Sequence, residues 1–186
     1  VSRRLLAVVC AAMAVLAPVP NAVAAPEVPD LVPLIDDSGP LPASSADLTG
    51  IPDLVFTTPT GLVCRKSHGK VTHNVVCQGN FPGSPPGTRS VSLAAVYAQG
   101  DGPALFLPTA SEGLRGDPER VPMTALGVGH KIVFWDFSPT ESLICGVPPG
   151  TDLVCVLKAA REISPKRGGS AVTHGFVISA PQSQVF

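Results

Sequence analysis

His68 and His73 are the residues whose types and spacing come closest to chemistry in this 186-residue chain. If Cys64 faces Cys77 across a hairpin, the same register sets His68 opposite His73, because both pairs share one midpoint. Even spacing from the cysteines then brings all four residues to one face. Two opposed imidazoles are candidate ligands for a borderline metal, with a third ligand supplied from elsewhere. The plainer reading is a pair of solvated turn histidines, since no carboxylate or third histidine stands at ligand spacing, and no cofactor is expected.

His174 lies in Thr173-His174-Gly175-Phe176 and shares parity with Val172, Phe176 and Ile178, which should face a core. A buried imidazole needs a hydrogen-bond partner, so a structural role is the simpler expectation and ligand contact the alternative. Phe81 is the best aromatic candidate for ligand contact, because it sits in a proline-rich loop, whereas Trp135 and Tyr97 fall in strand-like runs and are expected to pack. His130 should begin a strand.

The usual catalytic constellations are missing from the sequence. Serine, histidine and aspartate are present, but no Gly-x-Ser-x-Gly elbow activates a serine. Gly127-Val128-Gly129 and Gly168-Gly169 lack the strand-then-helix setting that cradles phosphate. The acids give no paired-carboxylate spacing for glycoside cleavage. No catalytic residue is nominated, and a non-enzymatic role is favoured.

Four of the five cysteines, Cys64, Cys77, Cys145 and Cys155, lie beyond residue 24. An even count in an exported chain points to disulfides, and no Cys-x-x-Cys spacing supports a zinc ribbon or a thioredoxin-like site. Three connectivities are open. The local pairs Cys64–Cys77 and Cys145–Cys155 are favoured, because each closes a hairpin that the turn residues already predict. Pro148-Pro149-Gly150 is the clearest of these turns, with Cys145 and Cys155 equidistant from Gly150.

The elements that must carry these residues begin after two N-terminal segments. Residues 1–24 read as a secretory signal: Arg3 and Arg4, then an apolar run over 5–17 too short to span a bilayer, then Ala22-Val23-Ala24. Val1 reads as an initiator from an alternative start codon, and Cys10 should leave with the signal. Retention of the signal as an uncleaved anchor is the alternative; once it is removed, no transmembrane segment is expected. Residues 25–52 hold five acids, no lysine or arginine, and no aromatic residue, and read as a disordered proline-rich acidic tether. Leu31, Leu34 and Ile35 are its only docking candidates.

Residues 53–186 read as one disulfide-stapled β domain. Strand-like runs fall at 54–58, 62–66, 71–78, 91–98, 104–107, 130–137, 172–179 and the second cysteine hairpin, with 184–186 a possible short edge, 111–122 a surface loop, and 158–163 one or two helical turns. Strands of this length between Gly/Pro loops predict an all-β fold, a two-layer sandwich or small barrel of about eight short antiparallel strands. The run 130–137 alternates apolar residues onto both faces, which predicts a central strand covered on both sides. A faint internal echo links the Phe56-to-Cys64 stretch with the Phe137-to-Cys145 stretch. The domain carries eleven bases and nine acids, scattered rather than clustered, so nucleic-acid binding is not expected.

Several pieces resemble the small exported β proteins of mycobacteria and related actinobacteria. They are Phe56-Thr-Thr-Pro-Thr-Gly-Leu-Val-Cys64, Val75-Val-Cys77, Gly129-His-Lys-Ile-Val-Phe134, Leu143-Ile-Cys145 with Val154-Cys155, and His174-Gly-Phe-Val-Ile-Ser179. The resemblance implies an export signal, one β domain and two disulfides, and it carries no catalytic residue over. The expectation is a secreted or envelope-associated module that binds an unidentified envelope or extracellular partner through its loops. A metal-dependent hydrolase using His68 and His73, or a purely structural wall component held by its tether, are the alternatives.

Overall fold

The computed structural model describes residues 30–36, 39–40, 53–68, 72–96, 103–111, 114, 121, 123–138, 141–159 and 172–186. The expected signal segment 1–24, most of the expected tether, Tyr97, the ring of Trp135 and residues 160–163 of the expected helical turns lie outside that set.

Among the described residues eleven strands form two sheets, and the architecture is an all-β sandwich, not a closed barrel. In the first sheet β1 (Leu54–Thr57), β2 (Val63–His68), β3 (Thr72–Gln78), β4 (Ser90–Val96) and β5 (Leu105–Leu107) run as an antiparallel meander. Strand β6 (Met123–Ala125) adds to the outside of β1 in parallel, an element the sequence gives no period for. The second sheet repeats the plan with β7 (Lys131–Ser138), β8 (Glu141–Gly146), β9 (Leu153–Ala159), β10 (Val172–Ile178) and β11 (Gln184–Val185). Both meanders therefore take the same order, fifth strand to first, and the internal echo falls on the first two strands of each.

The cysteine hairpins form as expected. Cys64 is bonded to Cys77 across β2 and β3, and Cys145 to Cys155 across β8 and β9, with Cα–Cα separations of 4.0 and 4.1 Å. Pro148-Pro149-Gly150-Thr151 closes the second hairpin: the Thr151 N–H donates to the Pro148 carbonyl at 3.0 Å, and Gly150 takes a φ of +84°, which this turn requires and a side chain would resist. All four cysteines point into the interior, where they pack with Phe56, Leu93, Phe134, Leu143 and Phe176. Nine aromatic residues in the whole chain would leave a two-sheet core thin, so the covalent ties within each sheet supplement apolar burial.

Two expectations need correction. Strand β7 is an edge strand, next to β8 alone, and two irregularities bend it, between Val133 and Trp135 and between Asp136 and Ser138. Bulges of this kind blunt an exposed edge. Residues 158 and 159, expected to start a helical turn, continue β9 instead.

The stretch expected to be a disordered tether contains the one helix among the described residues, α1 (Val32–Ile35). It lies against the outer face of the second sheet, with Val32 and Ile35 buried among Ile144, Val154, Val156, Val177 and Phe186. The reason is on that face: β8 and β9 are apolar on both sides, so their outward residues need cover.

Candidate functional site

The β2–β3 register pairs Cys64 with Cys77, Lys66 with Val75 and His68 with His73. All face inward, so the end of the hairpin away from the disulfide carries a cluster of Lys66, His68 and His73. The imidazole rings sit 3.9 Å apart at 61°, and their Nδ1 atoms are 2.7 Å apart. That distance is a hydrogen bond in which one Nδ1–H donates and the other Nδ1 accepts, so at least one ring must keep an unprotonated Nδ1. His73 is 5% exposed, whereas His68 is exposed at the end of its strand. Burial, then the neighbouring His68, then Lys66, push the His73 pKa down to about 3. His73 is thus neutral at ordinary pH.

Lys66 is 3% exposed, its ammonium 5.9 Å from the centre of the Phe134 ring on the facing sheet. Burial lowers its pKa, and the charge of Asp53 acts in the opposite direction. A cation held over an aromatic face recovers part of the cost of leaving water. Asp53 itself is 3.4 Å from Arg65.

Among the described residues the cluster is incomplete as a metal centre. Two nitrogens bound to one tetrahedral zinc lie about 3.3 Å apart, given Zn–N bonds of about 2.05 Å, and the histidine pair is closer than that. Among the described residues no group of three or more His, Cys, Asp or Glu could hold a metal ion. His174 stands elsewhere, half-buried on β10 and paired in register with Leu157. Phe81, the aromatic candidate for ligand contact, is buried: its ring lies 6.2 Å from Phe106 and packs into the inter-sheet core. A phenyl ring at the base of a loop gains more from that core than from water. His130 is exposed, and its Nδ1–H donates to the Val128 carbonyl at 3.1 Å.

The opposite end of the sandwich, the end nearer both disulfides, carries a feature the sequence did not show. Loops 58–62, 79–89, 126–130, 147–152 and 179–183 meet there and are tied in series. The Leu126 N–H donates to the Thr57 carbonyl at 2.8 Å, and the Gly129 N–H to the Val147 carbonyl at 2.8 Å. Asp152 N–H reaches the Ile178 carbonyl at 2.9 Å. Ser183 donates twice to the Pro82 carbonyl, from its N–H at 2.8 Å and from Oγ at 2.6 Å. Beside that joint, a Cβ on Gly83 would fall 2.0 Å from the Pro181 carbonyl oxygen, so only glycine allows the two loops to touch.

These loops hold seven prolines (Pro59, Pro82, Pro85, Pro86, Pro148, Pro149 and Pro181) and only two charged residues, Arg89 and Asp152. Val128 projects from them at 53% exposure. Such a surface loses little chain entropy on binding and has little charge with which to attract a partner. Turn residues predicted each loop singly; their convergence depends on which strands neighbour which, and no local pattern carries that.

No protein-family model, curated protein or solved structure matches this chain.

Proposed function

We propose that the chain is an exported, non-enzymatic module that binds a protein or envelope component through the five interlocked loops. The observation that carries this reading is the loop end itself: proline-stiffened, joined by backbone hydrogen bonds and almost free of charge. Binding residues gather on loops held by a rigid frame, and a two-disulfide sandwich is such a frame. Disulfides suit an oxidising compartment. Among the described residues no helix is long and apolar enough to cross a membrane. The signal-like N-terminus and the resemblance to small exported actinobacterial β proteins support export in the same way, as sequence features.

The test is capture from envelope extract on the immobilised full chain, compared with a chain carrying Val128→Asp and Pro149→Asp. Both positions are exposed, so folding should survive. A partner held through an uncharged surface should remain bound at about 0.5 M salt, where the Debye length is a few ångströms, and should be lost from the variant. Equal retention by both chains would remove the loops from the reading. Metal analysis of the purified protein separates the hydrolase alternative, which needs an ion held at His68 and His73.

A further inference from the structure

The outer face of the second sheet presents Ile144, Val154, Val156 and Val177, an apolar patch on the side of a sheet that usually meets water. Residues 30–36 cover it as a strap. Ile35 is wholly buried, and its seat is floored by Gly146, where an added Cβ would lie 2.6 Å from the Ile35 Cγ2. At the end of the seat Lys131 donates to the Asp36 carbonyl, and Lys158 pairs with the Asp36 carboxylate. The seat thus offers an aliphatic hole, a second apolar contact for Val32, one ammonium group on the main-chain carbonyl and one placed for an acid.

The strap is shaped by this seat rather than by itself. Four residues are far too few to nucleate a helix in water. No strand pairs with it, so it contributes nothing to either sheet ladder. Seventeen residues, 37–53, separate it from β1, enough chain to span about 55 Å when extended. Departure of the strap would leave both sheets hydrogen-bonded and both disulfides in place.

We infer that the seat is a peptide-docking site that the strap occupies in cis, as an autoinhibitory cover. Its other occupant is a segment of a partner protein with the same chemistry: two aliphatic side chains three residues apart, followed directly by a carboxylate. The glycine-floored hole selects the aliphatic group, Lys158 selects the acid, and Lys131 holds the main chain beside it. This surface is separate from the loop end, and the inference does not depend on it. A tethered strap acts at an effective concentration in the millimolar range, so a partner at ordinary concentration gains the seat only when the strap is weakened.

The probe is a fluorescein-labelled peptide with the sequence of residues 29–39, titrated against the full chain by anisotropy. Wild-type protein should bind it weakly. The Val32→Asp/Ile35→Asp chain and the Asp36→Lys chain, each with an intact thermal transition, should bind it at least tenfold more tightly. A peptide carrying Asp36→Lys should lose that affinity, and Lys158→Glu in the Val32→Asp/Ile35→Asp chain should restore it by exchanging the charges. Adding Gly146→Val to that chain should abolish binding by filling the hole. If neither strap variant binds the probe better than wild type, the inference fails. It fails equally if neither variant folds, since the strap would then be integral to the core.

Discussion

His68 and His73 share a single hydrogen bond between like atoms, Nδ1 to Nδ1 at 2.7 Å, and protonating both rings would set two N–H groups against each other. The buried partner, His73, resists the second proton, and its pKa of about 3 lies below the ordinary 6.5. An unfolded chain therefore binds a proton at this residue across that interval while the folded chain does not. The stability conferred is complete above pH 6.5 and is lost as the pH falls.

Acidification from pH 6.5 to about 3 should weaken the fold by up to about 1.4 kcal/mol per pH unit from this residue. Denaturant midpoints measured across that range should slope less steeply in His73→Gln, which keeps a donor for His68 but does not titrate. Parallel slopes in the two proteins would assign the acid sensitivity to other groups.

Removing either covalent tie should cost about 3 kcal/mol, since the bonds close segments of 13 and 10 residues. Cys64→Ala/Cys77→Ala and Cys145→Ala/Cys155→Ala, compared by urea unfolding, should lose similar amounts. Peptide mapping without reduction should find no fragment that joins the two hairpins.

How far the chain could be read locally differs from element to element. Cys64–Cys77 and the facing histidines were legible because one register fixes both, and Pro148-Pro149-Gly150 names the turn that sets Cys145 opposite Cys155. Position in the sheet was not. Residues 131–138 are apolar on both faces, and that pattern reports cover above and below, not hydrogen-bonded neighbours to left and right. Val133 packs beside the strap cluster, so an edge strand acquired the signature expected of a central one. The strap itself was hidden because only Val32 and Ile35 are buried in a stretch otherwise rich in proline and acid. Its signal lay in the receiving strands, where Ile144, Val154 and Val156 called for cover that no period in residues 25–52 announced.

Glycines separate close approach from conformational freedom. A Cβ on Gly175 would meet the Cys155 carbonyl oxygen at 2.4 Å and the Phe186 ring at 2.6 Å, whereas one on Gly87, whose φ is +84°, meets nothing within 4 Å. Gly175→Ala should therefore cost about 3 kcal/mol through overpacking, and Gly87→Ala about 1 kcal/mol through backbone strain alone. Thermal midpoints that fall in the reverse order would contradict this packing of the C-terminal ring.

Gly146→Ala should destabilise the strap without melting the sheets, since the added methyl meets Ile35 first. Limited proteolysis should cut faster within residues 30–52 of the variant than of the wild type, while cleavage in the sheets stays unchanged. A variant that unfolds globally instead would show that the seat and the sheets form one cooperative unit.

Each sulfur bridge stays inside its own sheet, and each sheet draws its five-strand meander from an unbroken length of chain. Oxidation of Cys64 and Cys77 thus needs no residue of the second sheet, and neither of the two bridges waits for a distant mate. What joins the two layers is apolar contact, and neither bridge links one to the other covalently.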